Sequence, residues 1–152
     1  MTRIRIVIAF CVAIIVLAAL ATVSSAADTK LYATLSGKAE VPKGDPDGAG
    51  TAVLTVKSSS VCYVISPKKA GSSFAAGHIH AGKKGKAGPV FINLWTKPKK
   101  VSGGKLTGCS PTVKAADLAK VKAKPSDYYV NIHNAKYPAG AVRGQLTAKK
   151  PS

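Results

Sequence analysis

The sequence predicts an all-β domain, an immunoglobulin-like or Greek-key β-sandwich or barrel with one short helix, preceded by an N-terminal signal peptide. Short segments in which apolar and polar residues alternate recur along the chain, and clusters of Gly, Pro, Ser and Lys separate them. Such alternation is typical of half-buried strands, and many short strands between turns are typical of sandwiches and barrels. The 152 residues are 46% hydrophobic, which argues against intrinsic disorder despite a formal net charge of +17.

The N-terminal segment has the three parts of a secretory signal. Arg3 and Arg5 precede an apolar run over 6–21, and small residues follow it up to Ala26. A basic region, an apolar region and a small-residue cleavage site define a signal peptide. An uncleaved membrane anchor is the alternative, since the run over 6–23 is almost long enough to span a bilayer. In both cases the rest of the chain is translocated, so we expect a secreted, extracellular or cell-envelope protein.

The predicted strands follow one another from the signal peptide to the C terminus. They are Leu31–Ser36, Thr51–Val56, Val61–Ser66, His78–His80, Val90–Thr96, Lys105–Gly108, Tyr128–His133 and Val142–Thr147. One helix is predicted over Val113–Lys122, where Ala, Leu and Lys accumulate before Pro125. The segment Lys43–Gly50 is rich in Asp, Pro and Gly and predicts an exposed loop.

Two cysteines remain once the predicted signal peptide, which contains Cys11, is removed. They are Cys62 and Cys109. Two cysteines in an exported domain typically form one disulfide bond, which is our prediction. A pair of buried free thiols is the alternative.

This chain lacks the residues that most catalytic mechanisms require. Three Cys and three His exclude zinc-ribbon arrays, iron–sulfur clusters and multi-metal centres. The sequence contains no phosphate-binding glycine loop, dinucleotide-binding fingerprint, zincin motif or serine nucleophile elbow. The six acidic residues form no pair with the spacing of a glycosidase or aspartic-protease site. We therefore expect a protein without enzymatic activity, unless a bound copper ion supplies redox chemistry.

Three histidines are the candidate metal ligands. His78 and His80 are two residues apart in a predicted strand, so their side chains point to the same face. If Val130 and Ile132 face the core of their strand, His133 faces away from it. Should the two strands be neighbours, the three imidazoles converge and can bind copper or zinc. The alternative is that these histidines hydrogen-bond backbone and loop groups and bind no ion.

Basic residues predominate over acidic ones, with 23 Lys and Arg against 6 Asp and Glu. The lysines cluster at 83–86, 97–100, 114–124 and 149–150. Such charge favours anionic partners such as a polysaccharide, a cell-wall polymer or phospholipid head groups. Nucleic acid is disfavoured because no aromatic residues are interleaved with the lysines. A solvated surface that binds nothing is the alternative, and membrane contact is expected only through an uncleaved N-terminal segment.

Arg143 follows a tight Pro-Ala-Gly turn near the end of the chain. Its guanidinium can hydrogen-bond loop carbonyls or a carboxylate. We expect a structural role for Arg143, with ligand binding as the alternative. Trp95 and Tyr129 are expected to be aromatic residues of the core or its rim.

Several short motifs occur together in one order along the chain. They are Leu35-Ser36-Gly37 with Glu40-Val41-Pro42, then Gly48-Ala49-Gly50-Thr51-Ala52, Val61-Cys62-Tyr63-Val64, Gly77-His78-Ile79-His80-Ala81-Gly82, Tyr128–His133 and Tyr137–Leu146. From about Leu31 to Thr147 the chain thereby resembles the CHRD domain, named for its occurrence in chordin. The sequence is thus divided into a signal peptide, or an uncleaved anchor, at 1–26, a domain at 28–148 that resembles the CHRD domain, and a basic tail at 149–152.

The resemblance implies an extracellular binding or structural module rather than an enzyme, with an immunoglobulin-like or Greek-key barrel. Cys62 and Cys109 are similar to the cysteine pair of many bacterial secreted members. The His-Ile-His stretch is also faintly similar to the copper-ligand strand of copper/zinc superoxide dismutase, but three histidines are too few for that enzyme's copper and zinc set. Our leading hypothesis is a non-enzymatic, exported module whose function is binding or structural, and an extracellular protein or an anionic polymer is the kind of partner we expect. The alternatives are a mononuclear copper- or zinc-binding protein and a polyanion-binding cell-surface protein.

Overall fold

The computed structural model describes residues 27–151, and the predicted signal peptide lies outside the described residues. The chain forms strands β1 (Thr29–Ser36), β2 (Ala49–Val56), β3 (Val61–Lys68), β4 (Ser73–Phe74), β5 (Ala76–Ala81), β6 (Val90–Trp95), β7 (Lys99–Lys100) and β8 (Leu106–Cys109), helix α1 (Ala115–Ala123), and strands β9 (Tyr128–His133) and β10 (Val142–Gln145). Short 3₁₀ turns cover Gly37–Ala39 and Pro125–Asp127. The predicted all-β class with one short helix is confirmed.

Eight of the strands form one antiparallel sheet in the order β6-β5-β9-β10-β1-β2-β3-β8. The sheet curls so that its two ends approach each other. Tyr63 on β3 and Trp95 on β6 lie with their ring centroids 5.0 Å apart although their strands are far apart in that order. The sheet is therefore a nearly closed barrel. Strands β4 and β7 pair separately as a two-stranded ribbon.

The core follows from the alternation seen in the sequence. Alternate residues of the long strands are apolar and almost fully buried, including Leu31, Ala33 and Leu35 on β1, Ala52, Leu54 and Val56 on β2, and Val61, Tyr63 and Ile65 on β3. Helix α1 adds Leu118 and Val121, which are three residues apart and so lie on one helical face. Within the described chain, no helix has both the length and the hydropathy to span a bilayer.

The predicted boundaries differ from the observed ones mainly at the ends of elements. Strand β10 ends at Gln145, two residues before the predicted end at Thr147. Leu146 donates its backbone N–H to the Tyr128 carbonyl, and Thr147 then pairs with Tyr32 on β1. After β10 the chain thus hydrogen-bonds first to β9, through Leu146, and then to β1, through Thr147. The two-residue strands β4 and β7 were not predicted, because two residues are too few to show a periodicity.

Strand β5 carries two of the histidines and lies between β6 and β9. In the antiparallel register with β9, His78 is paired with Asn131 and His80 with Tyr129. A side chain at Gly77 would collide with the ring of Trp95 on β6, so glycine is required for β6 to pair closely here. This pairing places the predicted histidine strands side by side.

The predicted disulfide between Cys62 and Cys109 is present, with an S–S distance of 2.06 Å. The two cysteines are directly paired in the register between β3 and β8. Because β8 is an end strand of the sheet, the disulfide attaches it covalently to the barrel.

Replacing both cysteines by serine (Cys62→Ser with Cys109→Ser) will lower the free energy of unfolding. The disulfide closes a loop with a sequence separation of 47 residues, which corresponds to an upper limit of about 4 kcal/mol in the chain-entropy model. Guanidinium unfolding of both proteins measures this difference, and reduced wild-type protein is the matched control. Hydrogen exchange should increase first in β8, and equal stability with unchanged exchange would contradict the role given to the bond.

Candidate metal centre

The three histidines of the described chain converge between β5 and β9. His78, His80 and His133 each offer one ring nitrogen, and all these nitrogens lie within 4.8 Å of one another. His78 Nδ1 is 3.0 Å from His133 Nε2. The antiparallel pairing of the two strands therefore satisfies the condition that the sequence left open.

The proton position on His80 is set by a backbone carbonyl. His80 Nδ1 lies 2.8 Å from the carbonyl oxygen of Gly88. A carbonyl oxygen only accepts, so Nδ1 must carry the proton and the Nε2 lone pair of the neutral ring is free. Nε2 is buried and has no hydrogen-bond partner among residues 27–151. Leaving a buried polar atom unpaired is costly, and a metal ion is one ligand that would satisfy it.

His133 is oriented in the same way. Its Nδ1 donates to the Pro138 carbonyl over 2.9 Å, which leaves Nε2 of the neutral ring as an acceptor. In the neutral state without metal, His78 Nδ1 therefore donates to His133 Nε2. Metal-binding histidines commonly donate their second ring nitrogen to a carbonyl in this manner, which fixes the tautomer and the ring orientation.

Asn131 is a further candidate ligand. Its Oδ1 lies 3.1 Å from His133 Nε2, and its side chain also hydrogen-bonds the buried Glu40 carboxyl group. When the amide N–H donates to Glu40, Oδ1 faces the lone pair of His133 Nε2, and two acceptors are in contact. A metal ion bound to both atoms would relieve this repulsion and would take the place of the His78 N–H at His133 Nε2. The alternation along β9 placed Asn131 on the histidine face, but nothing in the sequence marked an asparagine there as a ligand.

Burial keeps two of the histidines, His78 and His133, in the neutral form that binds metal. It lowers the pKa of His78 to about 4, and the nearby His133 and His80 rings act in the same direction. Burial also lowers the pKa of His133, although its bond to the Pro138 carbonyl acts against this. His78 and His133 are therefore neutral at physiological pH, as metal coordination requires.

Aromatic and cationic side chains pack behind His80. The Tyr129 ring is stacked on the His80 ring, with centroids 4.9 Å apart and planes 9° apart. The Tyr129 hydroxyl accepts a hydrogen bond from the Gly88 N–H, and the Arg143 guanidinium lies 4.5 Å from the Tyr129 ring centroid. Tyr129 is buried, and its packing restricts the His80 ring to one orientation.

Arg143 joins three segments of chain around this centre. It donates to the carbonyl oxygens of Ala39 and Lys86, and its Nε lies 3.7 Å from Glu40 Oε2. Both charged side chains are buried. Burial raises the pKa of Glu40 to about 7, because the loss of hydration outweighs the opposing attraction of Arg143. Arg143 thus contacts loop carbonyls and a carboxylate, as its sequence context predicted.

A comparison with protein-family models identifies one match, the CHRD domain, over residues 31–146. The chain belongs to the CHRD domain family. The resemblance seen in the sequence motifs is confirmed, and all three histidines, the two cysteines of the disulfide and Arg143 lie within the matched region of this CHRD protein. No curated protein and no solved structure matches the chain.

Acidification will destabilise the metal-free protein through His78. Its pKa is about 4 when folded and about 6.5 when unfolded, so the unfolded state binds the proton more tightly. The stabilising contribution is complete above pH 6.5 and is lost as the pH falls toward 4. The full shift corresponds to about 3 kcal/mol, and because the ring is only half-buried, screening by solvent reduces this to about 2 kcal/mol.

Urea unfolding across this pH range, for wild type and His78→Gln, measures the effect. The variant should lack this part of the pH dependence, while the opposite contribution of Glu40 is common to both proteins. An NMR titration giving His78 a pKa near that of free histidine would contradict the prediction.

Proposed function

We propose that this CHRD protein is an exported, non-enzymatic binding module that holds one copper or zinc ion between His78, His80 and His133. The observation that carries the proposal is the unpartnered, buried Nε2 of His80, which faces a cluster with two further imidazole nitrogens. A metal ion accepts lone pairs from all three rings, whereas a hydrogen bond between two of them leaves His80 unsatisfied.

The donor set indicates which ions fit. Imidazole nitrogens suit copper and zinc, and three protein ligands leave a further coordination position free. Asn131 Oδ1, which is 3.1 Å from His133 Nε2, is near enough to fill that position with an amide oxygen. A hard oxygen donor favours the divalent ions Cu²⁺ and Zn²⁺ over Cu⁺. If all four groups bind the ion, no coordination position is left for a substrate or an activated water molecule. This supports a binding role rather than catalysis.

Three features support a location outside the cytoplasm. The N-terminal sequence has the pattern of a secretory signal, the Cys62–Cys109 disulfide is typical of oxidising compartments, and the family is named for an extracellular protein. Metal ions there are not buffered by cytosolic thiols. A buried site with three imidazoles can capture such an ion directly.

Calorimetric titration with Cu²⁺ and with Zn²⁺ tests the metal site. The wild-type protein should bind one ion with a submicromolar Kd. His80→Ala should weaken binding by more than about 100-fold, since even changes to groups behind the ligands cost 10- to 100-fold. Thr107→Ala, at an exposed position of β8, is the control and should bind as wild type does.

Two further measurements distinguish a metal site from histidines that only stabilise the fold. Metal at 100 times its Kd should stabilise the wild-type protein by about 2.7 kcal/mol, and a chelator should reverse this. Asn131→Ala should retain metal with lower affinity and a changed Cu²⁺ electron paramagnetic resonance spectrum. An unchanged spectrum would remove Asn131 from the ligand set, whereas failure of the wild-type protein to bind either ion would overturn the proposal and return the histidines to scaffolding.

A further inference from the structure

A continuous groove lies beside the candidate metal centre. Its first lobe, a cavity of about 350 Å³, is lined by residues that include Thr34, Lys84, Tyr129, Arg143 and Thr147. Its second lobe, of about 510 Å³, is lined by residues that include Lys38, Val41, Pro42, Lys43 and Lys84. Ala39, Lys84 and Gly85 line both lobes, so the two form one elongated depression. We call it the lysine groove.

The charge of the lysine groove is strongly positive. Lys38, Lys43 and Lys84 are exposed along it, and Arg143 is buried in the wall of its first lobe. Arg143 Nη2 has no hydrogen-bond partner in the part of the chain that the structure describes. Glu40 also lines the groove, but it is buried against Arg143 and does not offset the exposed lysines. A concave surface lined by one sign of charge concentrates ligands of the opposite sign.

The loop that carries Lys84 is held in place by hydrogen bonds along its length. Gln145 Nε2 donates to the Gly82 carbonyl over 2.8 Å, and Arg143 Nη1 donates to the Lys86 carbonyl over 3.2 Å. His80 Nδ1 donates to the Gly88 carbonyl at the far end. A binding loop that is already ordered loses less entropy when a ligand binds. The backbone of the wall that carries Lys84 is thus preformed.

We propose that the lysine groove binds a segment of an acidic polysaccharide whose carboxylates lie along the exposed Lys84, Lys38 and Lys43, while the buried Arg143 adds positive charge to the wall. Two joined lobes with separated positive charges match a linear chain that carries repeated anionic groups. The hydroxyls of Thr34 and Thr147 can hydrogen-bond sugar hydroxyls, and the exposed Val41 side chain offers an apolar contact for sugar C–H groups.

Two other anionic partners fit the groove less well. Single-stranded nucleic acid needs accessible aromatic rings for base stacking, and Tyr129, which lines the first lobe, is only 4% exposed. A bilayer presents its head groups on a broad surface, whereas these lysines and Arg143 are arranged along a depression. A flexible polysaccharide chain can enter that depression.

Titration with a linear oligogalacturonate, which carries one carboxylate per sugar, tests the proposal. The variant Lys38→Gln/Lys43→Gln/Lys84→Gln should bind about tenfold more weakly than wild type, as expected for three exposed ion pairs. The control Lys57→Gln/Lys97→Gln/Lys105→Gln removes the same charge from exposed positions outside the groove. It should lose less than about twofold in affinity, through long-range attraction alone.

Three other results would contradict polysaccharide binding in the lysine groove. Equal losses in the two triple variants would show that only diffuse charge is involved. Equal binding of the methyl-esterified, uncharged oligomer, or binding to phosphatidylglycerol vesicles with none to oligogalacturonate, would also overturn the proposal. Oligogalacturonate binding should persist in the presence of a chelator and in His78→Gln, which separates this result from the outcome of the metal experiments.

Discussion

The antiparallel pairing of β5 with β9 is the constraint on which both sites depend. It sets His78 opposite Asn131 and His80 opposite Tyr129. It thereby brings His78 into contact with His133, which is 55 residues away in the sequence. A shift of one residue in this register would turn every side chain of β5 to the other face of the sheet. The burial of Ile79, Val130 and Ile132 in the barrel opposes such a shift. The apolar core on one face therefore determines the arrangement of the polar groups on the other.

The loop between β5 and β6, which carries Lys84, links the candidate metal centre to the lysine groove. Its Gly88 carbonyl orients His80, while its Lys86 carbonyl accepts from Arg143. A side chain at Gly88 would collide with the Ala81 carbonyl, so the loop can close on itself only with glycine there. One ordered loop thus fixes a histidine tautomer on one side and a positively charged wall on the other.

The buried Glu40 and Arg143 add specificity more than stability. Removing two charges from water is costly, and an attraction over 3.7 Å repays that cost only in part. The raised pKa of Glu40 reflects the same balance. The two side chains instead position the residues next to the histidines. Glu40 orients the Asn131 amide, and Arg143 packs over Tyr129 behind His80. Asn131 and Tyr129, which both contact the histidines, are thereby each held by a second contact.

The sequence by itself determined the all-β class, most strand positions, the Cys62–Cys109 pair and the shared face of His78 and His80. These are consequences of the two-residue period of a strand and of the few cysteines available, and both can be seen locally. Only the tertiary structure decided that β5 and β9 are neighbours, that carbonyls of Gly88 and Pro138 set the tautomers, and that Asn131 joins the cluster. It likewise decided which of the dispersed lysines share one groove. Periodicity specifies the face on which a residue lies, whereas the pairing of distant strands depends on the packing of the whole core.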